Sequence, residues 1–202
     1  MTRGHLPAEE RRAATVDAVI ALAARHDPGE ISTTAIAQHM GLTQGALFRH
    51  FATKDAILEA VMVRVSEQLL ARLDAAGEAA PDHAAALQAM FLAHTGFVAE
   101  HPGVPRLLFG ELQRAGSTAP KRVAAALLAQ YAERLRRQLE QGRQQREFDP
   151  ELDVAAAATL FIGSVQGLVM QALIAGDVQR IRDDAPRVLA IYLRGIRART
   201  AS

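Results

Sequence analysis

The strongest constraint in this chain is the stretch from Ile31 to Phe51, ISTTAIAQHMGLTQGALFRHF, which holds no Asp or Glu. It reads as two short helices joined by a tight turn. Ser32 or Thr33 caps the first helix, because a hydroxyl accepts from a free amide two or three residues on. Ile36, Ala37 and Met40 recur at helical spacing and give that helix one buried face. Gly41 stands where a helix ends in left-handed backbone, which glycine adopts without steric cost. Leu42 packs back across the turn. Thr43 caps a second helix opened by Gln44, with Leu47, Phe48 and Phe51 as its apolar positions. Gly45 and Ala46 are small, so the backbone there can approach another surface closely.

Extended to Lys54, the segment carries Arg49 and Lys54 as its formal charges, beside His39 and His50. An acid-free helix-turn-helix is what a major-groove reader requires. Phosphates repel carboxylates, and the second helix must lie close to the duplex backbone. The same spacing also suits an ordinary helical hairpin inside a bundle.

The longer run ISTTAIAQHMGLTQGALFRHFATKDAILEAV resembles the DNA-binding region of the TetR family of bacterial transcriptional regulators. The matching features are the Thr-rich start, the Ile-Ala pair, Gly41 in the turn, Gly45, the aromatic Phe48, His50-Phe51 and Lys54-Asp55. The likeness covers roughly residues 8 to 64; beyond it only the layout matches. It implies that Thr33, Thr34, Gln44, Gly45, Phe48, His50 and Lys54 face double-stranded DNA. Gln44 is the candidate for a base edge, since an amide pairs bidentately with adenine. Thr33, His50 and Lys54 are expected to hold phosphate. Phe48 departs from the family's usual Tyr and loses a phosphate-bonding hydroxyl, which leaves it packing or sugar contact.

Half of the 202 residues are apolar, Ala and Leu dominate, and β-branched runs are absent. That composition favours an all-α protein. The net charge of +1 carries no signal for nucleic acid; the basic character is local. There is no cysteine, which excludes disulfides, thiolate zinc sites and a cysteine nucleophile. The seven His are scattered and form no HExxH motif, so no catalytic residue, metal or cofactor is assigned. The polar N-terminus lacks the apolar core of a secretory signal, which makes the cytoplasm the expected compartment.

Periodicity predicts about nine helices: 8–26, 33–40, 44–50, a long fourth from Thr53 to the Gly77–Pro81 break, 83–100, 104–114, 119–142, 151–175 and 184–199. Residues 1–53 would form the DNA-binding domain, with helix four as the link. Residues 54–202 would form a ligand-binding and dimerisation domain. Arg134, Arg136, Arg137 and Arg143 on helix seven read as a solvated face.

Val154 to Gly176 is a run of 23 uncharged residues, long enough to cross a membrane. Its Ala run, Gly163, Ser164, Gln166, Gly167 and Gln171 argue instead for a soluble helix buried on two sides, with no membrane partner. Helix nine also carries more than one apolar stripe. Two adjacent helices with two apolar faces each are most economically covered by a second copy of the same pair. The expected homodimer interface is Phe161, Gly163, Ser164, Gly167, Leu168, Leu189, Tyr192 and Ile196; the family resemblance implies the same arrangement. The alternative is one central helix in a larger monomeric core.

The middle helices mix large apolar residues with isolated polar ones, the usual make-up of a small-molecule pocket. Met90, His94, Leu108, Leu128, Tyr131 and Phe161 are the candidate lining for an unidentified small apolar effector. Each polar member has a plain alternative: His94 as a hydrogen-bonded core histidine, Gln166 as a bond across the dimer axis. The leading reading is a repressor that binds a near-palindromic operator as a dimer and is released by that effector. A DNA-binding organiser without an effector is the alternative. A helical enzyme acting on an apolar substrate is the remote one.

Overall fold

The computed structural model describes residues 7–198. Among them are nine α-helices: α1 Ala8–Ala23, α2 Thr33–His39, α3 Gln44–Phe48, α4 Lys54–Glu78, α5 His83–Glu100, α6 Gly103–Leu112, α7 Ala119–Gln144, α8 Val154–Ile174 and α9 Ile181–Ile196. The predicted order holds. The expected end of helix nine at 199 falls outside the described residues.

Caps set most of the starts. Ser32, Thr43, Thr53 and Asp153 each accept from the amide three residues on, at 3.1, 3.2, 3.0 and 3.0 Å. The stop after α2 is a Schellman turn. Leu42 N–H bonds Ala37 O at 2.8 Å, Gly41 N–H bonds Gln38 O at 3.0 Å, and Gly41 takes φ 64°.

The chain packs as two compact units. One holds the described chain up to Glu67 together with His101–Ala125; the other holds Gln68–Glu100 and the described chain from Ala126 onward. Packing divides the chain within α4 and α7, away from the division expected at 53/54. Both α4 and α7 are continuous helices that contribute to each unit.

In the first unit α1 packs on α2 and α6, and α2 on α3. Val19, Ile31, Ile36, Ala37, Leu47, Phe51, Ile57 and Val61 are buried there. The α1–α6 approach is very close at Gly103. A Cβ built on it would stand 2.3 Å from Ile20 O and 2.8 Å from Ala24 N, so only glycine fits.

In the second unit α5, α8 and α9 pack on one another. Phe161 is the hub, edge-on to Phe91 at 5.1 Å, to Tyr192 at 5.4 Å and to Tyr131 at 6.2 Å. Helix α8 is long and apolar enough to cross a membrane by length and composition, yet 44% of its apolar window is buried inside the protein. The predicted solvated arginine face of α7 is only partly so. Arg134 is half-buried and donates twice to Asp74, at 2.6 and 2.8 Å, and Arg143 pairs with Glu140 at 2.8 Å.

Candidate nucleic-acid interface

Helices α2 and α3 bury one face and present the other. Ile36, Ala37 and Leu47 are buried, while Thr34, Gln44, Gly45 and Phe48 are exposed and Thr33, His50 and Lys54 half-buried. The seven residues named from the sequence are thus all accessible on the first unit. Phe48 is 42% exposed, so it is not a packing residue; its ring is presented outward. Nothing lies within 4 Å of a Cβ on Gly45, which leaves open space over that backbone.

Two details of this face were not legible in the sequence. The Gln44 amide Nε2 donates to the Thr33 hydroxyl at 2.7 Å. Thr33, expected to hold phosphate, accepts this bond through its oxygen and keeps its own O–H to donate. The amide retains its carbonyl and a second N–H, enough for a bidentate pair with a base. Asp55, the first carboxylate after the segment, is gripped by both Arg114 terminal nitrogens, at 2.9 and 3.2 Å. The Arg114 hydrogen bond holds the Asp55 carboxyl below its usual range. Arg114 also pairs with Glu111 at 3.0 Å, so the charge of the acid next to Lys54 is compensated in part, which lessens its repulsion of a phosphate.

Of the expected ligand set, His94 and Phe161 both meet Tyr131. His94 Nδ1 lies 3.3 Å from the Tyr131 hydroxyl, with the rings 5.4 Å apart, and Tyr131 meets Phe161. Desolvation pushes the half-buried His94 imidazole down to about 4, and burial pushes the Tyr131 phenol up, so both are neutral near pH 7. Met90 is buried and borders a half-open cleft of about 200 Å³, whose polar lining includes Asp74, Arg134 and Gln138. Leu128 is 40% exposed and lines no interior; Leu108 is half-buried in the first unit. Gln166 is exposed.

The residues expected at a dimer interface divide between core and surface. Phe161, Leu168, Leu189, Tyr192 and Ile196 are buried within the second unit itself. Tyr192 donates its hydroxyl to Ala157 O at 3.1 Å and stacks edge-on to Phe161, so it closes the α8–α9 contact. The side chains left outside are Leu160, Met170 and Ile174 on α8 and Ile191 on α9, from 42 to 79% exposed. Gly163 and Gly167, named from the sequence, have open space above them on α8. Ser164 is half-buried and its hydroxyl bonds Leu160 O at 2.8 Å. An all-round apolar helix carries no signal of which side its own core takes; only the placement of α5 and α9 settles it.

Comparison with known proteins agrees with this geometry. The family model described as bacterial regulatory proteins, tetR family, matches residues 16–61. The model described as tetracyclin repressor-like, C-terminal domain, matches residues 114–185. The nucleoid occlusion factor SlmA of Marinomonas sp. (strain MWYL1) is 26% identical over 164 residues, covering 79% of this chain and 81% of that protein. Among solved structures, the fatty acid degradation regulator FadR from Bacillus halodurans superposes with a TM-score of 0.82 at 18% identity, covering 98% and 100% of the two chains. FadR from Bacillus subtilis, solved with stearoyl-CoA, gives 0.80 at 19% identity, covering 91% and 98%. The matched family and both FadR structures are described as regulators, not as enzymes. With an exposed, acid-free helix-turn-helix ahead of a helical second unit, and family matches over both regions, the chain belongs to the TetR family of DNA-binding transcriptional regulators.

Proposed function

We propose that this regulator is a cytoplasmic repressor that binds a near-palindromic operator as a homodimer and leaves it when a small apolar effector is bound. In this reading residues 1–53 carry DNA contacts through Thr33, Thr34, Gln44, Gly45, Phe48 and His50, joined by Lys54 at the start of α4, and Thr33 also braces Gln44. Residues 54–202 carry effector and dimer contacts. The observation that carries the reading is the accessible face of α2 and α3, polar but free of carboxylates over a buried apolar floor.

The dimer face is the outer strip of α8 and α9: Leu160, Gly163, Gly167, Ile174 and Ile191. A two-fold axis there makes the same strip its own partner. The effector site centres on Met90, His94, Tyr131 and Phe161, where two neutral polar groups stand among aromatic rings. Stearoyl-CoA, with which a fold relative was solved, is the first ligand to try for its apolar acyl chain, its anionic coenzyme A part staying outside this neutral centre. Helix α4, continuous through both units, is the candidate lever. Two recognition helices must fall into successive major grooves ~34–36 Å apart, so a few ångströms of separation stop both docking at once.

Selecting duplexes from a random pool with the purified protein, then titrating stearoyl-CoA with and without the selected duplex, tests this. Reciprocal weakening of about 5–150-fold is expected, because the coupling free energy is shared by both ligands. Equal ligand affinities in both titrations would refute release by that ligand. The second reading, a DNA-binding organiser without effector, is favoured by the SlmA relative. It predicts selected duplexes but no response to any apolar ligand.

A further inference from the structure

Arg12 on α1 reaches across 38 residues of sequence to the exit of α3. Its Nη1 donates to the His50 carbonyl at 2.6 Å, and its guanidinium carbon lies 4.3 Å from the centre of the Phe51 ring. Phe51 is 2% exposed and anchors the segment in the core of the first unit. Helix α3 is only five residues long, and the carbonyls after its last turn lack helical partners. One planar cation thus satisfies a free carbonyl and stacks on the buried ring beneath it. A guanidinium can do both at once, and an ammonium cannot.

The charge of Arg12 is also not set out for phosphate. It lines a groove between α1 and α4 with Glu9, Glu59, Glu67 and Arg64, where three carboxylates stand against two cations and disfavour a DNA backbone. Its short, charge-assisted bond to a backbone carbonyl engages Nη1 and fixes the guanidinium over Phe51, while the Nε and Nη2 donors take no part in that bond.

We propose that Arg12 is a positioning residue of the DNA reader. It fixes the C-terminal end of α3, and His50 with it, against α1, and so sets base discrimination without touching the duplex. The inference rests on the DNA-binding reading above. It adds a specificity-determining residue outside the helix-turn-helix itself.

The test uses the full-length protein, the duplex it selects from a random pool, and a scrambled duplex of equal length. Arg12→Met keeps the apolar stem and removes the charge and donors; Arg12→Gln keeps a donor and serves if the first variant folds poorly. Both are measured at a temperature where circular dichroism matches wild type. The expected result is a drop of about tenfold in the ratio of selected to scrambled affinity, the size of one mismatched base pair. The slope of log affinity against log salt should stay at the wild-type value. A slope shallower by about 0.9 with the ratio preserved would make Arg12 a direct phosphate contact and overturn the proposal. A lowered melting temperature with ratio and slope both unchanged would overturn it equally, as a purely structural role. Absence of any duplex selected by wild type would instead refute the DNA-binding reading on which it rests.

Discussion

The His94 imidazole should make this protein lose stability between pH 7 and pH 5. Burial holds the folded-state value at about 4, against 6.5 for a free histidine. Between those limits the unfolded chain takes up a proton that the folded chain refuses. The stabilisation is therefore complete above pH 6.5 and lost as pH falls towards 4. At ~1.36 kcal/mol per pH unit, the gap between 6.5 and about 4 corresponds to about 3 kcal/mol in all. About 2 kcal/mol of that falls between pH 7 and pH 5, ahead of most carboxylate titration in the unfolded chain. His94→Phe keeps an aromatic ring beside Tyr131 and removes the titration. It leaves the Tyr131 hydroxyl without its 3.3 Å partner, a cost of ~1–3 kcal/mol. Tyr131 stays protonated throughout this range, so that cost does not vary with pH. Urea unfolding at pH 7, 6 and 5 should then show wild type losing about 2 kcal/mol more than the variant. Parallel pH curves for the two proteins would refute the reasoning, as would an imidazole resonance of His94 titrating near 6.5 in the folded state.

Other outcomes follow from single contacts. Gly103→Ala places a methyl against two backbone atoms, Ile20 O in α1 and Ala24 N just after it, that cannot swing away, so it should cost at least ~1–3 kcal/mol in chemical denaturation; wild-type stability would mean the helices do not approach so closely. Ile174→Asp combined with Ile191→Asp puts charge on the proposed dimer strip, and sedimentation at micromolar concentration should shift from a dimer to a 21.7 kDa monomer; an unchanged dimer would place the interface elsewhere. Lys54→Ala should weaken binding to every duplex and make the salt slope shallower by about 0.9, with base preference retained; wild-type affinity at all salt concentrations would remove Lys54 from the DNA contacts.

What could be read from the chain alone was whatever closes within a few residues. The caps at Ser32, Thr43 and Thr53 and the stop at Gly41 use hydrogen bonds spanning three to five positions, so residue type and spacing were enough to place them. The accessible reader face was legible for the same reason: Ile36, Ala37 and Leu47 mark the buried side of short helices, and the remaining positions point outward. Tertiary structure decided every contact between distant side chains. Arg12 meets His50 over 38 positions, Arg114 meets Asp55 over 59 and Arg134 meets Asp74 over 60, and no pattern in the sequence pairs one arginine with one partner. It also decided which side of α8 is core. Leu168 and Leu160 are chemically alike, yet one is 7% and the other 59% exposed, because a helix apolar all round takes its direction only from the helices that pack against it.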